Sequence, residues 1–494
     1  MKSYILCIDQ GTTGSTALLL DAKGKVECSY NQEFPVYFPK NGWVEQNPDE
    51  IIASVHQAVE GLFQKNKISM SQILGIGITN QRETIVAWDR VSGKALCNAI
   101  VWQCRRTTDL CQKLKDQGWE KTIHRKTGLF LDPYFSASKM QWMLQHVEAV
   151  RDAQRKGNLC MGTIDSYVLF VLTGKQVFAT DVSNASRTML MNVGSLAWDD
   201  ELLECFGVSR SVLPMIVENT GILGETHSFG SLPDGIPIAG MAGDQQAALF
   251  GQRCFSAGQL KCTYGTGAFL LLNTGEDIKF SEHQLLTTVA WKIQGKTNYA
   301  LEGSVFNAGA AVQWLRDGMG WIEQSSEVEN LALQVDDSHG VVVVPAFTGL
   351  GAPHWNPHAR GMILGMDRAT TKAHIARATL EGIAFQVQDL VEAMEKDFQQ
   401  ELKEIRVDGG ASQNNLLMQF QSDIGDISLQ RPRFVESTAI GAGLLAGLSL
   451  GFWKDQKQLE ALYDPDETFS PHLSSSQREE KYHLWKRALK ACNG

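Results

Sequence analysis

The chain has 494 residues, of which 43% are hydrophobic and 20% are charged, and its formal net charge at pH 7 is −10. This balance excludes an intrinsically disordered chain, which combines low hydrophobicity with high net charge, and the length predicts two or three globular domains. The acidic balance argues against binding of nucleic acid or of an anionic membrane, since both require a basic face.

The first part of the chain alternates predicted strands and helices, which indicates an α/β fold. The predicted elements are strands at 4–8, 17–20, 73–78 and 85–88 and a helix at 49–62. The first two strands flank a polar turn rich in glycine and threonine, so they are predicted to form a β-hairpin. The helix follows Asn47 and Pro48, two residue types that favour a helix start.

The same hairpin pattern returns at residues 258–275. Both copies contain a Gly-Thr pair, a few small residues, three consecutive leucines and a polar turn that ends in glycine. A repeat of whole units predicts two duplicated domains, and we place them at 1–252 and 253–494. On these residues alone, a chance likeness between two glycine-rich hairpins remains an alternative.

Compartment and membrane attachment are predicted from cysteine usage and from the apolar runs. Ten cysteines are scattered without a CxxC pair, which predicts reduced thiols and a cytoplasmic protein. The apolar stretch at 4–8 is too short for the hydrophobic part of a signal peptide. The uncharged, mostly apolar run 437–453 falls short of the about 20 residues that span a bilayer, so we predict a buried helix there and no integral membrane segment.

The two Gly-Thr turns are candidates for binding phosphate. Backbone N–H groups and hydroxyls can approach an anion closely where no bulky side chain intervenes. One turn in each half could therefore hold a nucleoside triphosphate between them. The chain has neither the GxxxxGK[ST] nor the GxGxxG pattern of the common alternatives. A third cluster, Gly409-Gly410, follows a predicted strand and either admits a flat ring or forms a tight strand-to-helix turn.

Several charged and aromatic residues are candidates for the chemistry. Asp9 closes the first strand beside the first turn, where a carboxylate near phosphate oxygens calls for Mg²⁺, bound through water. Asp244 begins a helix and is either a general base or a plain helix cap. Arg82 and Glu83 suit a polyol, because one donates and the other accepts hydrogen bonds, although a surface pair is the alternative. Two aromatic residues beside polar or turn residues wall a small pocket or belong to the core; these are Trp102 and Tyr134.

In combination, these motifs resemble the FGGY carbohydrate kinases over residues 4–485. The resemblance implies two duplicated actin-like (ribonuclease H-like) ATPase domains around a cleft, and a homodimer or homotetramer. Its activity would be phosphorylation of glycerol to sn-glycerol 3-phosphate in glycerol catabolism, with ATP and Mg²⁺. The segments that carry it are Asp9–Thr13, Gly77–Thr84, Val101–Thr107, Tyr134–His146, Gly243–Gly251, Tyr264–Gly267, Val343–Pro353, Gly361–Glu381 and Arg406–Gly410.

The resemblance also assigns residues by their place in these motifs. The N-terminal domain would carry the polyol site and the first phosphate turn, and the C-terminal domain the nucleotide site. Asp244 would be the catalytic base and Asp9 the metal residue. The polyol would contact Arg82, Glu83, Trp102, Tyr134, Asp244, Gln245 and Phe269. The nucleotide would contact Thr12, Thr13, Gly14, Thr266, Gly309, Gln313, Gly410 and Asn414.

Two other functions remain open, and one departure from the family pattern is visible. Another FGGY kinase acting on a pentulose is the alternative within the enzymes, and a non-catalytic ATP-binding switch is the alternative outside them. Many relatives that act on glycerol carry serine and arginine where this chain has Gly14 and Thr16. A cation near the phosphates is therefore missing from the first turn.

Overall fold

The computed structural model describes residues 2–356 and 358–492, so the terminal residues of the two predicted domains, Met1, Asn493 and Gly494, lie outside it. The strands are β1 Tyr4–Gln10, β2 Gly14–Leu20, β3 Val26–Glu33, β4 Glu45–Gln46, β5 Ile73–Asn80, β6 Ile85–Asp89, β7 Ala99–Ile100, β8 Leu159–Thr163, β9 Ala179–Asp181, β10 Met191–Asn192, β11 Ala197–Trp198, β12 Met215–Val217, β13 Thr220–Glu225, β14 Pro237–Gly243, β15 Leu260–Tyr264, β16 Ala268–Gly275, β17 Leu286–Ile293, β18 Lys296–Val305, β19 Val342–Val344, β20 Met362–Leu364, β21 Glu404–Asp408, β22 Ser428–Pro432 and β23 Pro465–Phe469.

Sixteen α-helices lie in the same described stretches, together with short 3-10 turns at Met70–Gln72, Arg210–Val212 and Gly410–Gln413. The helices are α1 Pro48–Lys65, α2 Thr108–Asp116, α3 Trp119–Thr127, α4 Ser136–His146, α5 Glu148–Arg155, α6 Ile164–Leu172, α7 Val182–Ala185, α8 Asp200–Phe206, α9 Asp244–Gly251, α10 Gly309–Asp317, α11 Glu327–Ala332, α12 Lys372–Phe398, α13 Asn415–Gly425, α14 Ser437–Ser449, α15 Gln456–Ala461 and α16 Ser475–Cys492. None of these helices combines the length and the apolar character that crossing a bilayer demands.

Two central sheets repeat one topology, one in residues 1–252 (the N-terminal half) and one in residues 253–494 (the C-terminal half). The first has the order β13-β14-β5-β1-β2-β3 and the second β17-β18-β16-β15-β21-β22-β23. In each sheet the first strand pairs antiparallel with the second strand of its hairpin and parallel with a later strand on its other side. The two hairpins therefore hold equivalent places, and the predicted duplicated α/β fold is confirmed.

The predicted hairpins form because their strands are buried on both faces. In β1 and β2, Cys7 pairs with Leu18 and Asp9 with Thr16, and nearly every residue of β1 is buried. Strands covered on both faces read as continuous apolar runs, which is the pattern that predicted them. The predicted helix at 49–62 is confirmed as α1, where the Asn47 side chain accepts a hydrogen bond from the N–H of Asp49.

Helix α14 joins the two halves of the chain through close backbone contacts. It confirms the buried helix predicted within 437–453, and it packs on α9 and on β1 of the N-terminal half. A Cβ on Gly441 would lie 1.8 Å from the carbonyl oxygen of Ala247, and one on Gly443 would lie 2.2 Å from Cys7 Sγ. Glycine is required here because any larger residue would separate the halves.

We expect Gly441→Ala to destabilise the fold. In a helix, alanine is more favourable than glycine by about 1 kcal/mol. Helix propensity therefore cannot explain a net loss of stability, which must come from the clash. Overpacking of this kind costs about 1–3 kcal/mol in the free energy of unfolding, measured from the urea midpoint by circular dichroism. The control is Gly194→Ala, whose Cβ would meet its nearest atom at an ordinary 3.4 Å. Equal midpoints for the two variants would contradict this packing.

Candidate active site

The ends of two neighbouring parallel strands bring Arg82 and Asp244 together. Arg82 follows β5, Asp244 follows β14, and the last residues of these strands, Asn80 and Gly243, are register partners. Ligand sites form where the carboxyl ends of parallel strands meet. Arg82 Nε lies 3.0 Å from Asp244 Oδ1. A Cβ on Gly243 would be 2.7 Å from Arg82 Cγ, so this glycine makes room for the arginine side chain.

Behind Arg82 lies a buried ion-pair chain that joins the two halves. Glu302 of β18 accepts from Arg82 Nη1 at 2.6 Å and from Nη2 at 3.0 Å. Arg187 donates from Nη2 to Glu302 at 2.9 Å and from Nε to Glu83 Oε1 at 2.7 Å. We call Asp244, Arg82, Glu302, Arg187 and Glu83 the charge network. Its members other than Asp244 are almost entirely buried.

The charge network sets the protonation of its two glutamates. Burial opposes ionisation of Glu302, but Arg187 and Arg82 outweigh it and lower the pKa of this carboxyl to about 2. Glu83 differs, because burial raises its pKa above the ordinary value despite the same two guanidinium groups. Glu83 also has a φ of 60°, which is uncommon for a residue with a Cβ and typical of functional sites.

Two aromatic residues form one wall beside the charge network. Trp102 and Tyr134 are each half-buried, and their rings meet edge to face with centroids 5.6 Å apart. Tyr134 also lies 5.9 Å from the Arg187 guanidinium. Trp102 donates from Nε1 to Thr12 Oγ1 at 3.0 Å, so it connects this wall to the first Gly-Thr turn. Both rings therefore lie at the site rather than deep in the core.

Lys261 contacts the two remaining residues of the predicted polyol site, Gln245 and Phe269. This buried lysine donates to Gln245 Oε1 and, at 3.2 Å, to the carbonyl oxygen of Phe269. It also donates to Thr263 Oγ1 at 2.9 Å. Gln245 follows Asp244 directly on α9, so Lys261 links the backbone of Phe269 to the start of the helix that carries Asp244.

The second Gly-Thr turn carries the start of α10. The N–H groups of Ala308 and Ala310 donate to the Thr266 carbonyl at 2.9 and 3.0 Å, and that of Gly309 donates to Gly265 at 3.0 Å. A Cβ on Gly309 would lie 2.6 Å from the Gly265 oxygen, so only glycine fits. Gln313 is exposed one turn along the same helix. These predicted nucleotide residues thus lie together.

The third glycine cluster lies against the same turn. A Cβ on Gly409 would be 2.5 Å from the carbonyl oxygen of Tyr264, and the exposed Gly410 follows it. Asn414 caps α13 by accepting from the N–H of Leu417 at 2.8 Å. The strand-to-helix turn expected as the simpler alternative is therefore present, and it faces the candidate nucleotide site.

The first turn belongs to the other sheet. The N–H of Gly11 donates to the carbonyl of Gly14 at 2.9 Å, which closes the turn. Thr13 at its tip is exposed, while Thr12 contacts Trp102. A Cβ on Gly14 would lie 3.0 Å from the carbonyl oxygen of Gln32, so a larger residue here would require β3 to shift by a few tenths of an ångström.

Asp9 is a partly buried carboxyl beside a second carboxylate. Burial and the neighbouring Asp244 carboxylate raise the pKa of Asp9 to about 7. A hard divalent cation takes carboxylate, phosphate and water oxygens, so Asp9 fits Mg²⁺ chemically. Residues 2–356 and 358–492 contain no cluster of three or more acidic, histidine or cysteine ligands. A cation beside Asp9 would therefore need oxygens from phosphate and water.

Three residues of this region were missed by the sequence analysis, namely Arg187, Glu302 and Lys261. Glu302 is a charge within the buried part of β18, and Lys261 is the one charge in the mostly buried strand β15. A charge in a buried strand is almost never tolerated without a partner. These buried charges could therefore have been recognised in the sequence as residues that need an ion-pair partner, but the sequence does not show which residue that partner is.

Comparisons with known proteins agree with this arrangement. Models of the N-terminal and C-terminal domains of the FGGY family of carbohydrate kinases match residues 4–251 and 260–450. The chain belongs to this family. The FGGY kinase is 50% identical over 99% of both chains to a protein named glycerol kinase from Bacillus subtilis, and equally so to one from Bacillus anthracis.

Solved structures resemble the whole FGGY kinase chain. A glycerol kinase from Plasmodium falciparum, crystallised with ADP, is 37% identical with a TM-score of 0.92 over 99% of this chain and 98% of its own. A gluconate kinase from Lactobacillus acidophilus has a TM-score of 0.89 over 100% and 99% at 24% identity, which shows the fold alone. The actin-like fold expected from the resemblance is thereby confirmed.

We expect the nucleotide with Mg²⁺ to displace a proton from Asp9. With a pKa of about 7, this carboxyl is about half protonated at pH 7, and a bound cation favours its ionised form. Calorimetry in buffers of different ionisation enthalpy should detect proton release at pH 7 that Asp9→Asn abolishes. Asp200→Asn, at an 89% exposed side chain, is the control. The same release from Asp9→Asn and from the unaltered chain would contradict the assignment.

Proposed function

We propose that this FGGY kinase transfers the γ-phosphoryl group of ATP to glycerol and forms sn-glycerol 3-phosphate, in glycerol catabolism. The observation that carries the proposal is the contact between Arg82 and Asp244 at 3.0 Å, beside the half-buried rings of Trp102 and Tyr134. Such a pocket offers a donor, an acceptor and a base to a small polyol. Full-length relatives named glycerol kinase, at 50% identity, support the same substrate.

Selection among polyols follows from size and from hydrogen bonding. Arg82 donates hydrogen bonds to the hydroxyl oxygens that are not phosphorylated, and Glu83 accepts hydrogen bonds from these hydroxyls. Trp102 and Phe269 limit the length of the pocket, while Tyr134 and Gln245 complete it. A pentulose would leave buried polar groups unpaired at about 1–3 kcal/mol each, which favours glycerol.

The transfer step needs alignment and charge neutralisation more than covalent help. Asp244 takes the proton of the terminal hydroxyl as its oxygen attacks the γ-phosphorus. Closure of the two domains around the substrates would exclude water, which otherwise competes as the nucleophile. A base adjacent to a polyol pocket favours an enzyme over a non-catalytic ATP-binding switch.

The nucleotide lies between the two Gly-Thr turns. Asp9 would hold Mg²⁺ through water, and the bound ion would supply neutralisation of the β- and γ-phosphate charge. The phosphates are held by backbone N–H groups and hydroxyls of both turns, and the nucleoside by the glycine-rich starts of α10 and α13. The residues in these roles are Thr12, Thr13, Gly14, Thr266, Gly309, Gln313, Gly410 and Asn414.

Three further features belong to the same proposal. The chain divides into domains at 1–252 and 253–494, a division supported by family models that end at 251 and begin at 260. The protein is cytoplasmic, in keeping with ten free cysteines. It assembles as a homodimer or homotetramer.

We expect fast ADP release with Mg²⁺, ATP and glycerol, and not with xylulose, gluconate or no acceptor. Asp244→Asn removes the proton acceptor and should lower kcat by about 100- to 10,000-fold. Asp200→Asn should leave kcat unchanged. A coupled assay for ADP measures both. Turnover on a sugar in place of glycerol would overturn the substrate, and ATP binding without any turnover would favour the switch.

We expect Arg82→Ala to weaken glycerol binding and to leave ATP affinity nearly intact. A charge-assisted hydrogen bond contributes about 1.5–3 kcal/mol, so the KM for glycerol should rise about 10- to 100-fold. Initial rates at varied glycerol and varied ATP separate the two constants. Thermal unfolding with ATP shows whether the variant is folded. An unaltered KM for glycerol in a folded variant would contradict the assignment.

A further inference from the structure

Glu302 and Arg187 lie behind the polyol residues, each held by contacts on two sides. Glu302 belongs to β18 of the C-terminal half, whereas Arg82, Glu83 and Arg187 belong to the N-terminal half. We propose that Glu302 and Arg187 are positioning residues for polyol binding, in which Glu302 fixes the guanidinium of Arg82 and Arg187 fixes the carboxylate of Glu83. The inference rests on the proposed function, since it concerns the same pocket.

Glu302 fixes the orientation of Arg82. Its two carboxylate oxygens accept from Nη1 and Nη2, and Gln246 Oε1 accepts from Nη1 at 3.2 Å. A bidentate pair of this kind fixes the plane of the guanidinium as well as its place. The Nε edge then lies 3.0 Å from Asp244 Oδ1. The edge of Arg82 that contacts Asp244 is therefore oriented by a residue from the other half of the chain.

Arg187 holds Glu83 through a single hydrogen bond and pairs with Glu302 at the same time. Its Nε donates to Oε1 of Glu83 at 2.7 Å, while its Nη2 donates to Glu302 at 2.9 Å. Its guanidinium also lies near the rings of Tyr134 and Phe135, at 5.9 and 5.3 Å. Arg187 Nη1 is buried and has no hydrogen-bond partner within the described stretches of the chain. The contacts of this arginine are therefore with Glu83, with Glu302 and with the rings of Tyr134 and Phe135.

The two positioning residues cannot be exchanged for neutral or shorter ones without moving the pocket. Without its charge, Glu302 would leave the guanidinium groups of Arg82 and Arg187 buried close together. Lysine at 187 would keep the charge but lacks the planar fork that reaches two carboxylates at once. The change at Glu302 would alter the orientation of Arg82, and the change at Arg187 would alter that of Glu83. Neither change would alter the conformation of the two Gly-Thr turns.

A merely structural role for these residues would give a different result. Asp389 of α12 is the matched control, because it is a buried carboxylate of the C-terminal half with its own donors. It accepts from Trp485 Nε1 at 3.0 Å, from Tyr482 and from His354, and it does not contact the charge network. Asp389→Asn should lower the unfolding temperature without changing the KM for glycerol.

The test compares Glu302→Gln, Arg187→Lys and Asp389→Asn in the full chain. Initial rates give the KM for glycerol and for ATP, and calorimetry without nucleotide gives the glycerol Kd. We expect both positioning variants to raise the glycerol KM and Kd at least tenfold and to change the KM for ATP less than twofold. In the double variant the effects should combine to less than their product, since both residues act through one network.

The outcomes separate this inference from the function on which it rests. If the unaltered chain binds glycerol but does not phosphorylate it, the proposed function is overturned. The glycerol Kd values of the variants would then still show whether Glu302 and Arg187 position the binding residues. Folded variants with unchanged glycerol constants, or with glycerol and ATP constants weakened equally, would overturn the positioning role. If Glu302→Gln does not fold, Arg187→Lys, which keeps the number of charges, gives the same comparison. Absence of both glycerol binding and turnover in the unaltered chain would overturn both.

Discussion

The arrangement of the cleft depends on the ion pair between Arg82 and Glu302. Removing two charges from water costs several kcal/mol for each ion, and attraction compensates only where the geometry is good and further hydrogen bonds satisfy the charges. Here two hydrogen bonds of 2.6 and 3.0 Å join Arg82 to Glu302, and Arg187 donates a third hydrogen bond to the same carboxylate. The interaction is therefore sensitive to small displacements of one half against the other. The orientation of Arg82 therefore depends on how the two halves of the chain are placed relative to each other.

The same ion pair requires that the two halves approach closely elsewhere. Glycines of α14 allow this, because Gly441 and Gly443 bring its backbone against α9 and β1. A continuous apolar cluster follows, which includes Cys7 and Ala247 from one half and Leu271 and Leu444 from the other. Hydrophobic burial supplies the stability, and the buried charges then specify one alignment within it. Burial is not directional, so it could not fix the orientation of Arg82 alone.

Much of the fold could be predicted from local sequence, whereas the charge network could not. Buried strands such as β1, and the uncharged helix α14, show their burial in their own residues. Arg82 and Asp244 could be proposed because each follows a strand end. The partner of Arg82 lies 220 residues away in sequence, and the contact of Glu302 with Arg187 spans 115 residues. A lone charge in an apolar strand reveals that a partner exists, and only tertiary packing determines which one.

Substrate choice in this architecture depends on side chains rather than on the fold. A gluconate kinase and a xylulose kinase, both from Lactobacillus acidophilus, share the fold with TM-scores of 0.89 and 0.86 at 24% and 23% identity. Fold alone therefore leaves the acceptor open. In this chain Arg82 and Glu83 are already paired on one side by Glu302 and Arg187. Under the proposed function, side chains held in this way offer the acceptor few hydrogen bonds in fixed directions, and a small polyol satisfies them without leaving buried groups unpaired.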